Sequence, residues 1–474
     1  MADVIVVGLG PAGIIAARVL GRAGLSVVAI QAEAAQPGRA PLAAPAPTLR
    51  STSDDEALPQ AAPPAGLDTV GGSKLLAAAQ AYRLDDWSFE MRSATERRYG
   101  PLPPDSDVVD WPISAAELAP WYDIVEDAVD AAPRPATAWT DRMSLAAAGL
   151  GWEPFAAPAA ASPDAAPLLV GSDVEVVRAT VTAILRGSTG EVTGVEYVDG
   201  AGDLRTRACG AVVVAASVVP SIRLLLLSGL SADGRVGRWF LSHNAFVVHG
   251  DFAGIDLRRR DAGPASAVAV SEFEGDRFDH SGLGFLGGSL LQAAMTGPWS
   301  AQRLDAAAEG LSRRTTGAAD AATWVRAHHR SIGTVWAQPD QLPRADNVVD
   351  LDPVHRDPSG RPVARITFSL ADDDRRRWEF LATRAAEWLR NAGARTTWRP
   401  PLQAQPLGTH LYGGVRMGED PAESAVDSFG RFHGVPGLVV VGSSTFPSTG
   451  GRGPVETIEA LSWRAASPLA DDLR

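Results

Sequence analysis

"VIVVGLGPAG" (residues 4–13) runs without a break from an apolar stretch into a glycine-rich turn. Val4 to Val7 have the length and composition of a strand buried on both faces of a parallel sheet. Gly8, Gly10 and Gly13 follow in the G-x-G-x-x-G spacing, and Pro11 and Ala12 begin a segment of helical periodicity, "IIAARVLGRAG". A second apolar run, "LSVVAI", comes next. A strand, turn, helix and strand in that order is the setting in which this spacing signifies a dinucleotide. Gly8 permits the tight turn, Gly10 lets the backbone approach a pyrophosphate, and Gly13 lets helix and strand pack closely. The helix N-terminus offers the phosphates free N–H groups and the positive end of its dipole. Gln31 holds the ribose-binding position at the end of the second strand, with Glu33 two residues on. A glutamine carbonyl can accept a hydroxyl proton there.

The chain has 474 residues, more than one simple core holds, so two domains are expected. Apolar residues make up 45% and charged residues 21%, as in an ordinary globular enzyme. No apolar run is long enough to cross a membrane. The sequence enters its first strand with no basic n-region or cleavage site, so no secretory leader is expected. The single cysteine, Cys209, excludes an intrachain disulfide and fits a reducing compartment, which makes cytoplasmic the expected location. A net charge of −13 argues against nucleic acid and is compatible with a cationic substrate. No pair among the eight histidines shows metal-ligand spacing with a carboxylate, so no metal is expected.

Residues 34–66 are rich in Ala and Pro without periodicity and read as a surface excursion or lid. Residues 110–131 read as a helix, with Ser114 at the N-cap and Glu117 at capping-box spacing. Strand-like runs fill 173–216, "SIRLLLLSG" reads as a helix, and "LVVV" (438–441) returns to a buried parallel strand. The expected class is therefore α/β with an α+β second domain. The nucleotide-binding domain is discontinuous, spanning 1–100, 166–244 and 405–474. A helical connection occupies 101–165, and a sheet-based substrate domain occupies 245–404.

Several segments together resemble the glucose–methanol–choline (GMC) family of FAD oxidoreductases. They are "VIVVGLGPAG", "VGGSK" (70–74), "WPISAAELAPWYDIVE" (111–126), "AVVVAASVVPSIRLLLLSG" (211–229), "LPRADNVVDLDPVHRDPSGRPVARI" (342–366) and "HLYGGVRMGEDPAESAVDSFGRFHGVPGLVVVGSSTFP" (410–447). The likeness runs from end to end and is nearest the pyranose oxidase and bacterial glycoside oxidoreductase branch. It implies a Rossmann-like FAD-binding domain. The cofactor would be held by Gly8, Gly10, Pro11, Ala12, Gly13, Gln31, Glu33, Gly71, Gly72, Ser73 and Val177. Ala215, Ala216, Ser217, Arg223, Gly442, Ser443, Pro454 and Val455 complete that expected set.

The resemblance also implies oxidation of a hydroxyl of a sugar, glycoside or amino sugar, with hydride passing to flavin N5. The family's catalytic histidine lies eight residues before the glycine of "RMG", which is His410 here. An imidazole of near-neutral pKa suits removal of the hydroxyl proton. Tyr412 is a candidate substrate contact. Two departures stand out. Pyranose oxidase-like members bond FAD through a histidine just after the second flavin segment, where this chain has Ser73, Lys74, Leu75 and Leu76, so non-covalent FAD is expected. The family's second catalytic group, an Asn or His before a proline, is replaced by Gly453 before Pro454. Arg452, Glu456 and Tyr412 are the side chains considered for its role. Two other readings remain open: a redox-neutral lyase or epimerase on the same fold, and a non-catalytic flavin-binding protein. The electron acceptor is left unassigned.

Overall fold

The first apolar run forms the strand Ala2–Val7, in which Val4, Ile5 and Val6 are completely buried. The computed structural model describes residues 2–32, 47–50, 57–58, 80–161, 166–169, 172–257, 266–294, 301–312, 318–399, 401–402 and 410–474. Glu33, the 70–74 segment with Gly71, Gly72 and Ser73, and most of the 34–66 excursion lie outside these residues.

Five parallel strands lie side by side: Val174–Arg186, Val27–Gln31, Ala2–Val7, Leu204–Val214 and Leu438–Val440. In register, Val7 stands between Ile30 and Val214, and Val214 is flanked on its other side by Val440. A parallel sheet buried on both faces needs such valine-rich runs, and helices cover it. Helix Pro11–Arg22 packs against the C-terminal helix Val455–Asp472, which in turn contacts helix Ala115–Val129. The last of these begins with the capping box read from sequence: Ser114 Oγ accepts from the Glu117 N–H at 3.2 Å, and Glu117 Oε2 accepts from the Ser114 N–H at 2.9 Å. Strand Val192–Asp199 runs antiparallel to both Val174–Arg186 and Leu204–Val214, joining the outer reaches of these long strands.

A second, antiparallel sheet has the order Thr396–Trp398, Phe246–Asp251, Ile332–Ala337, Leu291–Ala294, Ala267–Val270 and Phe155–Ala156. Helices Ala138–Gly149 and Asp372–Asn391 pack against it around Trp139, Phe246, Leu291 and Trp388. The fully buried Trp388 donates its indole N–H to Met143 O at 2.8 Å, joining the two helices.

Two placements differ from the reading of the sequence. Hairpin Val348–Arg356/Pro362–Thr367 falls within the 245–404 stretch, yet Val349, Ala364 and Ile366 belong to the core of the parallel sheet. Within the 34–66 excursion, Thr48–Arg50 is a strand paired parallel with Arg365–Thr367. Burial of Leu49 and a 2.6 Å hydrogen bond from Thr48 Oγ1 to Asp352 Oδ2 anchor it. Three residues are too few to leave a periodic signal in sequence. Among the described residues, no helix is long and apolar enough to cross a membrane.

Truncating the tryptophan that joins the second core's two helices, Trp388→Ala, is expected to destabilise the protein by about 3–5 kcal/mol. Denaturant unfolding monitored by circular dichroism measures this, and an unchanged midpoint would contradict it.

Candidate nucleotide cleft and histidine pair

At the carboxyl ends of the parallel strands the glycine turn is clamped from both sides. The Gly8 N–H donates to Ile30 O at 2.8 Å, and the Ala215 N–H donates to Val7 O at 2.9 Å. Gly8 has φ +96°, and a Cβ there would lie 2.9 Å from Ala215 O and from Ala216 Cα. A Cβ on Gly13 would stand 1.9 Å from Gly8 O, so the turn and helix touch through bare backbone. Gly10 is different: it is extended (φ −71°, ψ −175°), and a Cβ there would meet nothing within 4 Å. The open space over Gly10 is the cleft itself.

Gly8, Gly10, Pro11, Ala12 and Gln31 line that cleft from one side. Gln31 also braces the turn, since its Oε1 accepts from the Leu9 N–H at 2.6 Å. Ala215, Ala216, Ser217 and Arg223 line it from the end of the neighbouring strand and the helix Val218–Leu227. Gly442, Ser443, Pro454 and His410 close it. Val177 is not among the lining residues. Gln31 stands opposite Arg178, so the part of that strand level with the cleft lies beyond Arg178, and Ala179, Thr180 and Val181 line it instead. Val455 is 4% exposed and belongs to the C-terminal helix, while Pro454 reaches the cleft.

These residues fit a flavin dinucleotide. The turn leaves backbone room for phosphates at a helix N-terminus, where N–H groups and the helix dipole favour an anion. Among the described residues the lining contains no carboxylate, and Arg223 is its one side chain with a fixed charge. In a chain of net charge −13, that absence favours a pyrophosphate.

His410 reaches this cleft through a short antiparallel pairing, Leu241–Ser242 with Leu411–Tyr412, which brings His243 beside it. His243, which nothing in the local sequence marks, donates from Nε2–H to Gly450 O at 2.7 Å. A carbonyl oxygen only accepts, so in the neutral ring the His243 Nδ1 carries the lone pair. The Tyr412 hydroxyl lies 2.9 Å from that nitrogen and donates to it, and His410 Nδ1 lies 3.4 Å from it. A proton on His410 Nδ1 turns this last contact attractive. His410 Nε2, which makes no hydrogen bond among the described residues, is then left with its lone pair. Burial lowers the His410 pKa to about 4, and burial together with the neighbouring His410 lowers that of His243 to about 3, against an ordinary 6.5. Both rings are neutral at physiological pH. Burial also raises the Tyr412 hydroxyl well above its ordinary range.

Of the side chains considered for the second catalytic role, Arg452 and Tyr412 are committed to other partners. Arg452 spends Nε and Nη2 on Glu274, the latter at 2.7 Å, and donates from Nη1 to Arg83 O at 2.8 Å. Burial raises the Glu274 pKa even though Arg452 opposes the shift, so this is an enclosed ion pair. Glu456 is 2% exposed in the first turn of the C-terminal helix. Tyr412 is fully buried behind His243.

Comparison with known proteins places this geometry in context. Residues 343–462 match the family described as GMC oxidoreductase. The gluconate 2-dehydrogenase flavoprotein of Pantoea cypripedii is 26% identical over 588 residues, covering 99% of this chain and 93% of that one. Paromamine 6'-oxidase of Streptomyces fradiae is 27% identical over 534 residues, covering 99% and 92%. An FAD-dependent oxidoreductase structure from Chaetomium thermophilum aligns with a TM-score of 0.61 at 14% identity, covering 100% and 99% of the two chains. That likeness is one of fold.

Two expectations follow from the cleft. Gly13→Ala drives a methyl into Gly8 O, so purified protein will carry far less FAD by its visible absorbance; full occupancy would contradict the clamp. The second concerns pH. Between about 4 and 6.5 the unfolded histidines bind protons that the folded ones refuse, so stability rises with pH across this window. It is complete above 6.5 and is lost as the pH falls towards 4. Denaturant midpoints across that range measure the effect, and His243→Phe should flatten the slope.

Proposed function

We propose, on the premise that the chain belongs to the GMC oxidoreductase family, that it oxidises a hydroxyl of a sugar, glycoside or amino sugar to a carbonyl, using non-covalently held FAD. The observation that carries this reading is a buried, neutral His410 that lines the cleft and has one nitrogen without a hydrogen bond among the described residues. Bound FAD supplies a two-electron acceptor for the hydride leaving the substrate carbon. The chain's own residues manage the proton and the position. The hydroxyl proton passes to Nε2 of His410, while the bond order between carbon and oxygen rises to that of a carbonyl. His243 keeps the proton-accepting nitrogen of His410 unprotonated through the Nδ1–Nδ1 contact, and Gly450 O fixes the His243 ring. Enclosure keeps His410 neutral, so it can accept a proton across the physiological range.

The glycine turn and the start of helix Pro11–Arg22 would hold the pyrophosphate, and the strand end at Ala215–Ser217 would flank the rest of the dinucleotide. The antiparallel sheet within 245–404 supplies the substrate side. A net charge of −13 and likeness to a paromamine oxidase support an amino sugar as substrate. A cytoplasmic location is part of the same proposal.

Anaerobic mixing with candidate amino sugars and glycosides should bleach the flavin; conversion of any candidate without bleaching would instead support redox-neutral chemistry. His410→Ala should slow that bleaching by about 10²–10⁴-fold while FAD stays bound. Bleaching at the wild-type rate would remove His410 from the reaction.

A further inference from the structure

We infer that the side-chain amides of Gln338 and Gln80 hold the reacting hydroxyl oxygen, in the space that Gly453 leaves without a side chain. This rests on the reading above and identifies the groups that work with His410.

A Cβ built on Gly453 would lie 3.4 Å from Gln80 Oε1 and 3.7 Å from Gln338 Oε1, and among the described residues no other atom beyond its chain neighbours comes within 4 Å. Two carboxamides from distant parts of the chain therefore converge on one vacant position, each with its Oε1 nearest to it; a half-turn about the terminal side-chain bond exchanges Oε1 and Nε2 and presents the NH2 group there instead. Both side chains are half-buried, and neither amide makes a hydrogen bond among the described residues. Each brings two N–H donors and a carbonyl acceptor.

Their backbones are fixed to the loop that carries Gly453. The Gln338 N–H donates to Ser289 Oγ at 2.7 Å, and the Leu290 N–H donates to Gly451 O at 3.0 Å. Gln80 bridges to Ala159, the Ala81 N–H donates to Pro158 O at 3.1 Å, and Arg452 binds Arg83 O at 2.8 Å. The same loop also meets the partner of the base: Gly450 O accepts from His243, whose Nδ1 lies 3.4 Å from His410 Nδ1. Residues 450–453 thus touch the histidine pair at one end and the two amides at the other. Arg452 is committed to Glu274 and Tyr412 to His243, whereas among the described residues the two amides are uncommitted.

The chemistry needs such donors. When the O–H proton moves to His410 Nε2 and the C–H hydride moves to FAD, negative charge gathers on the oxygen before the C=O bond is complete. Once turned so that their N–H groups meet that oxygen, the amides are stronger partners in the transition state than in the ground state.

The test begins with the wild-type holoenzyme and the amino sugars and glycosides named above. If none bleaches the flavin, the proposed oxidation itself fails, separately from this inference. With a bleaching substrate in hand, Gln338→Leu and Gln80→Leu should each slow flavin reduction, by about 10²-fold for the principal donor. Adding Gly453→Asn should restore much of the rate, because position 453 has room for a side chain and its backbone lies outside the left-handed region. Gln338→Glu retains the shape without the N–H donors and should be as slow as the leucine variant. FAD absorbance and melting temperature show whether each variant is folded. A substrate analogue lacking the reacting hydroxyl, titrated into oxidised enzyme, provides a readout apart from turnover. Wild type and Gln338→Leu should bind it equally, while the true substrate binds the variant more weakly. Wild-type reduction rates in both leucine variants would overturn the inference, as would equal weakening for substrate and analogue.

Discussion

Everything in this molecule rests on a contact that only bare backbone can make. Gly8 lies against Ala215 and Ala216, and Gly13 lies against Gly8, at distances no Cβ could tolerate. That contact places the N-terminus of helix Pro11–Arg22 at the ends of strands Val27–Gln31, Ala2–Val7 and Leu204–Val214. It also sets the floor of the cleft, and the space above Gly10 exists because its neighbours come so close. The valine-rich strands are then obliged to be apolar on both faces, since helices cover the sheet, and the C-terminal helix is held where its first turn meets the cleft.

The second controlling effect is exclusion of water from the histidine pair. His243 is 1% exposed and His410 7% exposed, and a charge on either would be poorly solvated. The enclosure that lowers their basicity also leaves each ring few partners, and Gly450 O sets the tautomer of His243. Gly450 O, the Tyr412 hydroxyl and the other ring account for three of the four nitrogens. Nearby, the same exclusion pushes the Asp340 carboxyl up to about 7 and makes Arg452 and Glu274 an enclosed ion pair. Breaking one member of such a pair leaves the other as an uncompensated charge, so Arg452 is held to a structural role.

What could be read from the sequence was what is local. The glycine turn, the apolar strands and the Ser114–Glu117 capping box are properties of contiguous residues, and each leaves a pattern. His410 was legible because its neighbours, "LYGGVRMG", are themselves distinctive. His243 was not: it follows a two-residue strand and acquires meaning only when that strand pairs with Leu411–Tyr412. Gln338 and Gln80 were invisible for the same reason, lying 115 and 373 residues before Gly453 with no motif of their own. The hairpin 348–367 misled domain assignment because chain order says nothing of which core a buried face joins.

Gly453 shows how absence at one position can be a design feature of its surroundings. A side chain there would project between the Gln80 and Gln338 amides. Without one, the inferred oxygen-binding groups come from the residue after strand Ile332–Ala337 and from the segment before Ala81, on what the proposed function takes as the substrate side. Moving a donor from the cofactor loop to the substrate sheet couples substrate recognition to the chemical step. A molecule that fails to engage the sheet would also fail to have its oxygen held for proton loss to His410. Selectivity and rate would then draw on the same pair of amides, so few substitutions in that sheet would leave the choice of hydroxyl unchanged.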